Sequence, residues 1–435
     1  MPPHEPPPNI IIVMADDLGY GDIGCFGGTH IATPHIDQLA NRGVRLTDFH
    51  SNGAVCTPTR AAIYTGRYQQ RADMEDVIGV NEFERGMDPG ENQSLVHHLR
   101  ETGYATALFG KWHLGFNPKF NPTAHGFDEF RGFLSGNIDY HSHVDNAGRP
   151  DWWHNLEPIE EKGYSTDLIN RNTVSFIREN KDRPFFIFTS HEAPHWPYQG
   201  RNDPPDRVVG SRDHHYQGSR LDKWGAYREM VEVMDEGMGM ILDTLDELDL
   251  SRRTLILLIS DNGPTEDVGS SGGLRGFKGL LYEGGHRVPG VAAWEGRIAP
   301  GTTHDSTIFS MDLLPTALNL AGYDGPLRYP LDGIDVASAL LDGHSLPERD
   351  TFLRNTRKHK GETVKQASAR RGDWKWIRIN EEEALYNLRE DLAEAHNRID
   401  EHPEKAHALR SAFEAWAKAV DRDTERVRTA GQTSE

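Results

Sequence analysis

Cysteine is nearly absent: Cys25 and Cys56 are the only two in 435 residues. That excludes a disulfide framework and any zinc site built on several thiolates. Positive charge is in deficit too. Lysine and arginine number 47 against 67 acidic residues, a formal net charge of −20, which repels nucleic acid and anionic membrane surfaces. An anionic substrate therefore needs a local cluster of cations to overcome the global field. No apolar run reaches the length of a membrane span. The opening MPPHEPPPN has neither a basic segment nor an apolar core, so no secretory signal is visible. The chain as it stands reads as cytoplasmic, or as periplasmic or secreted where a signal has been trimmed. There is no tandem repeat, and no low-complexity tract beyond those prolines. A phosphate loop is missing as well, because the glycines of GYGDIGCFGG (residues 19–28) lack the Lys-Ser/Thr such a loop requires.

What is present begins with four short apolar runs: Asn9–Ala15 (NIIIVMA), Ala105–Phe109 (ATALF), Pro184–Thr189 (PFFIFT) and Thr254–Ser260 (TLILLIS). Each is apolar on both faces, as a central strand covered by helices must be. Helix-like segments at Asp37–Arg42, Ser94–Thr102, Asp167–Asn180 and Lys223–Leu248 alternate with them. The alternation predicts an α/β fold, a large and mostly parallel sheet sandwiched by helices. After Leu346 the pattern changes to strand-like pieces (Thr351–Arg354, Trp374–Ile379) and an amphipathic helix near Pro403–Val420, with the last dozen residues frayed. This divides the chain into a main domain over 1–345 and a smaller α+β domain over 346–435.

In open α/β sheets ligands bind beyond the carboxyl ends of the strands. The four runs deliver Asp16 and Asp17, Lys111 and His113, His191 and His195, and Asp261 and Asn262 to that edge. The third set sits in HEAPH (191–195), which has the His-Glu-x-x-His spacing of zinc proteases. In those enzymes the motif lies on a helix. Here Pro194 fills its fourth position, at a helical cost of roughly 3 kcal/mol, and a strand precedes it, so both histidines belong to a loop. The two aspartates, Asp261 and Asn262 form an all-oxygen set of the kind that suits calcium or magnesium better than zinc. Lys111 and His113 are two residues apart and, on extended backbone, share a face.

Cys56 opens CTPTRAAIYTGR (56–67), where Pro58 suits a first helical turn and Ala61–Tyr64 continue it. Cys56 and Arg60 are thus expected at a helix start, where free amides favour anions. Cys25, without a Pro-x-Arg context, is expected to be structural.

The stretch from Cys56 resembles the sulfatase signature, Cys-x-Pro-Ser/Thr-Arg followed after four residues by Thr-Gly. GYATALFGKWHLG (103–115) resembles the second signature of that family, and ADDLGYGD, SDNG (260–263) and FKGLLYEGGHRVP (277–289) extend the likeness over most of the first 320 residues. LYNLREDLAEAHN near the end looks like the family's C-terminal domain. The resemblance is to the type I, formylglycine-dependent sulfatases of the alkaline-phosphatase-like superfamily. It implies sulfuric ester hydrolysis, with Cys56 oxidised by a formylglycine-generating maturation enzyme and its hydrated aldehyde serving as nucleophile. It implies a cation, calcium before magnesium, held by Asp16, Asp17, Asp261, Asn262 and an oxygen of modified residue 56. Arg60, Lys111 and Lys278 would hold sulfate oxygens and stabilise charge on residue 56. His113 would act as base, and His195, with Lys278, would stand at the leaving group. His191 remains open between orienting a neighbour and packing its loop.

Substrate residues are sought in NIDYHSH (137–143) and beside the site segments: Tyr140, His141, His143, Trp196, Arg275 and His286. Aromatics suit sugar faces, while histidine and arginine suit a further anion, so a sulfated carbohydrate is expected, with aryl sulfates as surrogates. Two rivals remain at this stage: a phosphoester or phosphonate hydrolase of the same superfamily, and a non-catalytic relative that binds sulfated glycans. The second should have lost Cys56, Arg60 or a metal carboxylate, and this chain keeps them.

Overall fold

The computed structural model describes residues 6–359 and 361–433. Strands in the first part are β1 (Asn9–Ala15), β2 (Val44–Leu46), β3 (Phe49–His50), β4 (Ala105–Lys111), β5 (Glu129–Phe133), β6 (Trp153–His154) and β7 (Glu157–Pro158). They continue with β8 (Phe185–Ser190), β9 (Thr254–Ser260), β10 (Gly290–Ala293), β11 (Thr302–His304) and β12 (Ile308–Phe309). The helices are α1 (Pro34–Asn41), α2 (Cys56–Thr65), α3 (Val96–Glu101), α4 (Ser165–Glu179), α5 (Lys223–Glu247), α6 (Glu283–His286), α7 (Leu313–Leu320) and α8 (Ala337–Asp342).

Ten of these strands form one sheet in the order β11-β2-β10-β9-β1-β8-β4-β5-β6-β7. Its centre, β9-β1-β8-β4-β5, is parallel throughout. The four predicted apolar runs are four of these five strands, and every residue of β1, β4, β8 and β9 is buried. Their side chains divide by parity. Ile10, Ile12, Phe186 and Leu257 pack with Ile63 and Tyr64 of α2 on one face, while Ile11, Val13, Ile187 and Leu258 pack with α1, α4 and α5 on the other. Burial on both sides removes the need for alternation, which is why these strands read as unbroken apolar runs.

The predicted helices are present with shifted ends. α1 begins at Pro34 rather than Asp37, because proline at the first helical position has the right φ and no amide to satisfy. β4 runs two residues beyond Phe109, to Lys111. Gly110 allows this. It has φ +107°, and a Cβ there would lie 2.0 Å from the Ser190 carbonyl oxygen.

The last part forms an antiparallel sheet, β13 (Asp350–His359), β14 (Glu362–Arg371), β15 (Trp374–Ile379) and β16 (Glu382–Asn387), covered by α9 (Pro403–Thr433). The expectation of frayed final residues is corrected as far as Thr433, which is still helical; residues 434 and 435 lie outside the described set. Ion pairs join this sheet to the loop after β2 and to α6. Arg370 meets Asp48 at 2.7 Å and Lys375 meets Glu283 at 2.8 Å.

Candidate active site

The register of the central strands brings the polar residues together. Ala15 is level with Ser260 across β1 and β9, Met14 with Ser190 across β1 and β8, and Gly110 with Ser190 across β4 and β8. The residues that follow each strand therefore meet at one edge. α2 starts there, with Cys56 as its first residue and Val55 extended before it.

Four carboxylate or amide side chains surround residue 56. The Cys56 thiol donates to Asp16 Oδ1 at 3.4 Å, and Lys278 Nζ lies 3.5 Å from the sulfur. Asp17, on backbone with φ +69°, takes Lys278 at 2.6 Å and the Asn262 amide at 2.7 Å. Asp16 is paired with Lys111. Asp261 accepts from the Asp17 amide at 3.2 Å and from Arg60 at 3.0 Å. Atoms of Asp16, Asp17, Cys56 and His195 all fall within 4.8 Å of one another.

Burial and charge set the protonation states. Burial, then Asp16, push the Cys56 thiol far up, so the unmodified sulfur is no thiolate at neutral pH and a weak nucleophile. Burial opposes the charge of Lys278, yet Asp17 beside it holds its ammonium well above the usual lysine range. Burial and the neighbouring lysines hold His113 and His195 well below the ordinary histidine value, leaving both neutral. Asp261 is raised by burial and by Asp16.

Each predicted residue has a definite place. Cys56, His113, His195 and Lys278 line a cavity of 680 Å³. Arg60 and Lys111 are fully buried behind it. The Arg60 guanidinium is committed to Asp261, to Ser190 Oγ at 2.7 Å and to the Lys111 carbonyl at 3.1 Å. In this arrangement Arg60 braces Asp261 against the ends of β4 and β8. His113 shares the edge with Lys111, but not through extended backbone, since its φ is +58°. Its Nε2 lies 3.1 Å from the Ile78 carbonyl, and its Nδ1 is buried with no hydrogen-bond partner. HEAPH is loop, as expected. His195 Nδ1 lies 2.6 Å from the Trp196 carbonyl, and its Nε2 3.7 Å from Asp17. His191 is buried away from the cavity.

Among the six substrate candidates Trp196 alone lines the cavity. Tyr140 is buried and donates to the His195 carbonyl at 2.8 Å, supporting the loop from behind. His141 contacts the Gly200 carbonyl, and His143 stacks on Trp152. Arg275 donates to the Glu394 carbonyl at 2.7 Å, and His286 is buried between His50 and Lys375. These five lie off the cavity wall. The cavity wall takes Asn137 from the NIDYHSH stretch already singled out, together with Asn81, Asn146, Arg212, His214 and Tyr216, which sequence reading missed. The polar and aromatic density of SRDHHYQGSR (211–220) was the available signal.

A parallel sheet whose strand ends gather carboxylates, lysines and histidines around one buried residue at a helix start is equipped to bind and hydrolyse a charged ester. The family model for sulfatases matches residues 8–323, and the chain belongs to that family. Human arylsulfatase A is 33% identical over 380 residues, covering 80% of this chain and 70% of that protein. Human N-acetylgalactosamine-6-sulfatase is 32% identical over 389 residues, covering 83% and 70%. Among solved structures, Ps i-CgsB aligns with TM-score 0.84 at 29% identity over 94% of this chain and 92% of its own. The same protein in complex with k-i-k-neocarrahexaose aligns with TM-score 0.83 at 28% identity, over the same shares. The protein is a sulfatase, and a cation and a formylglycine are implied by its family.

Proposed function

We propose that the chain removes sulfate from a sulfated carbohydrate, using a formylglycine made from Cys56 by a maturation enzyme. The observation that carries this is the position of residue 56. It is the first residue of α2, at the floor of the cavity, with Asp16 3.4 Å and Lys278 3.5 Å from its sulfur. As a thiol it is protonated and poorly reactive. Oxidised to the aldehyde and hydrated, it would supply one hydroxyl to attack sulfur and a second whose deprotonation lets sulfate leave by elimination.

The residues fit a hard cation. Asp16, Asp17 and Asp261 offer carboxylates, and Asn262 Oδ1 is buried with no hydrogen-bond partner, an acceptor awaiting a ligand. We assign calcium, because the set is oxygen-rich and mostly protein-supplied; when bound it would polarise the oxygen of residue 56. Lys278 lines the cavity and orients the sulfate oxygens, and Lys111 steadies Asp16 beside residue 56. His113 is neutral, with Nδ1 uncommitted, and serves as the base that takes the proton from residue 56. His195 stands at the leaving-group oxygen with Lys278; since its one N–H is spent on the Trp196 carbonyl, the proton that the departing oxygen takes would come from the Lys278 ammonium.

The carbohydrate assignment draws support from the cavity size, within the roughly 300–1,000 Å³ usual for small-molecule sites. It also draws on Trp196 and Tyr216, whose rings lie 4.1 Å apart on its wall, and on the sugar-directed relatives. A screen of matured protein on defined sulfated oligosaccharides, with aryl sulfate and aryl phosphate alongside, tests the reading. Release of sulfate from at least one sugar is expected. Turnover of aryl phosphate in preference to every sulfate ester would overturn it. Elemental analysis should find calcium; stoichiometric zinc would remove the metal assignment.

A further inference from the structure

The loop between β8 and α5 supplies one wall of the cavity, and its arginines differ in what they hold. Arg201 is paired with Asp167 at 2.8 Å and Glu236 at 2.6 Å. Arg220 is paired with Asp203 and Glu229. Arg207 is buried on the Asn137 Oδ1, 2.7 Å away. Arg212 is the exception. It lines the cavity, is exposed, and makes a single 3.4 Å hydrogen bond to Asn81 Oδ1. Among the described residues no carboxylate is paired with it.

The neighbouring polar atoms are unspent too. His214 Nδ1 and Asn146 Oδ1, both from residues of the same wall, are buried without hydrogen-bond partners. Arg212, His214 and Tyr216 alternate along the loop and all line the cavity, so the loop presents every second side chain to it. Tyr216 then joins Trp196, and Trp196 joins His195, with ring centroids 4.1 and 4.6 Å apart. An aromatic surface thus runs from the catalytic histidine to the segment that bears an uncommitted guanidinium. The cations beside residue 56 are already committed: Lys111 is buried behind the cavity on Asp16, and Lys278 is held by Asp17.

We propose that Arg212 binds a second anionic group of the substrate, a sulfate or a carboxylate other than the one cleaved, with His214 donating to the same group. Asn146 Oδ1 accepts from a sugar hydroxyl, and Trp196 with Tyr216 packs on the sugar between. The preferred substrate is therefore an oligosaccharide with at least two negative charges. This rests on the sulfate-ester reading above. A planar guanidinium suits either oxyanion.

The test uses matured protein and three disaccharides alike at the cleaved sulfate: one with a neutral partner sugar, one with a sulfated partner, and one with a uronate partner. The second anion should raise kcat/KM about tenfold through KM with kcat unchanged, as expected for binding shared by ground and transition states. Whichever anion gives the larger gain identifies the natural group. Arg212→Ala should erase the preference, and Arg212→Lys should keep part of it. Aryl sulfate, which carries no second anion, should lose much less in both variants than the doubly charged disaccharides do. The proposal is overturned if the wild type treats all three alike, or if Arg212→Ala keeps the preference. It also falls if that variant loses as much on aryl sulfate. Absence of any sulfatase turnover by matured wild type would be a failure of the sulfate-ester reading instead. Calorimetric binding of the same disaccharides then decides: a tenfold affinity difference lost in Arg212→Ala upholds the subsite, and equal affinities refute it.

Discussion

Replacing Arg60 by methionine removes a guanidinium while keeping most of its volume, and the structure states what is left behind. Asp261 loses its 3.0 Å partner, Ser190 Oγ its 2.7 Å partner and the Lys111 carbonyl its 3.1 Å partner. Arg60 and Asp261 are both fully excluded from solvent, so water cannot compensate. Breaking a buried pair from one side costs about 3–5 kcal/mol, because an uncompensated charge remains. Asp261→Asn should cost less, because Asp16 still lies 3.8 Å from the Arg60 guanidinium. The double variant strands nothing charged, and the coupling between the two should reach about 2–3 kcal/mol. Urea unfolding at neutral pH in chelator, so that no cation contributes, measures all three. In kinetics, Arg60→Met should lower kcat on aryl sulfate and leave KM nearly unchanged, since Arg60 does not line the cavity. A single-variant cost under about 1 kcal/mol, or additivity within about 0.5 kcal/mol, would refute the bracing role. A KM rise with kcat intact would return Arg60 to direct sulfate binding.

Acid should destabilise the fold through His125 and His191, each pushed down to about 3, in both cases chiefly by burial. The unfolded chain binds these protons from about pH 6.5 downward and the native one does not, so stability is full above that pH and falls as pH drops. At pH 5.5 each should cost about 1.4 kcal/mol. His191→Asn should therefore flatten the urea midpoint between pH 7.5 and 5.5; an unchanged slope would contradict the assignment. Gly136→Ala sets a Cβ 2.8 Å from the Cε1 and Nε2 of His113. The ring must shift, and kcat should fall at least tenfold with the fold intact by circular dichroism, since small misplacements of catalytic groups are costly. Wild-type kcat in that variant would show that His113 has no positioned role.

The four central strands were legible because burial on both faces writes itself as continuous apolar sequence. β14 was not, because ETVKQASARR is exposed at Glu362, Thr363 and Lys365 and buries only Gln366–Ala369. The cluster of charged residues at the sheet edge was legible where a strand end coincided with a family motif, as at Asp16, Lys111 and Asp261. Inference from spacing failed at His113, whose left-handed backbone turns it out of the extended relation with Lys111. It failed again at Tyr140 and His143, which are near the cavity in sequence but whose rings face Tyr164 and Trp152 in the interior. Asn137 of the same stretch lines the cavity instead. Arg212, His214 and Tyr216 alternate over only three positions and outside any strand, too short a pattern to announce itself in sequence, so their direction emerges only from the fold.

The central claim is that residue 56 acts as formylglycine, and the most direct measurement pairs its mass with activity. Conversion of Cys56 lowers the mass of its tryptic peptide by roughly 18 Da, a thiol becoming an aldehyde that can serve as an oxygen nucleophile. Preparations made with and without a maturation enzyme should span a range of converted fractions. Sulfate release should rise in proportion to that fraction and vanish at zero, with Cys56→Ala folded and inactive. Unconverted protein that hydrolyses sulfate esters as fast as converted protein would contradict the account.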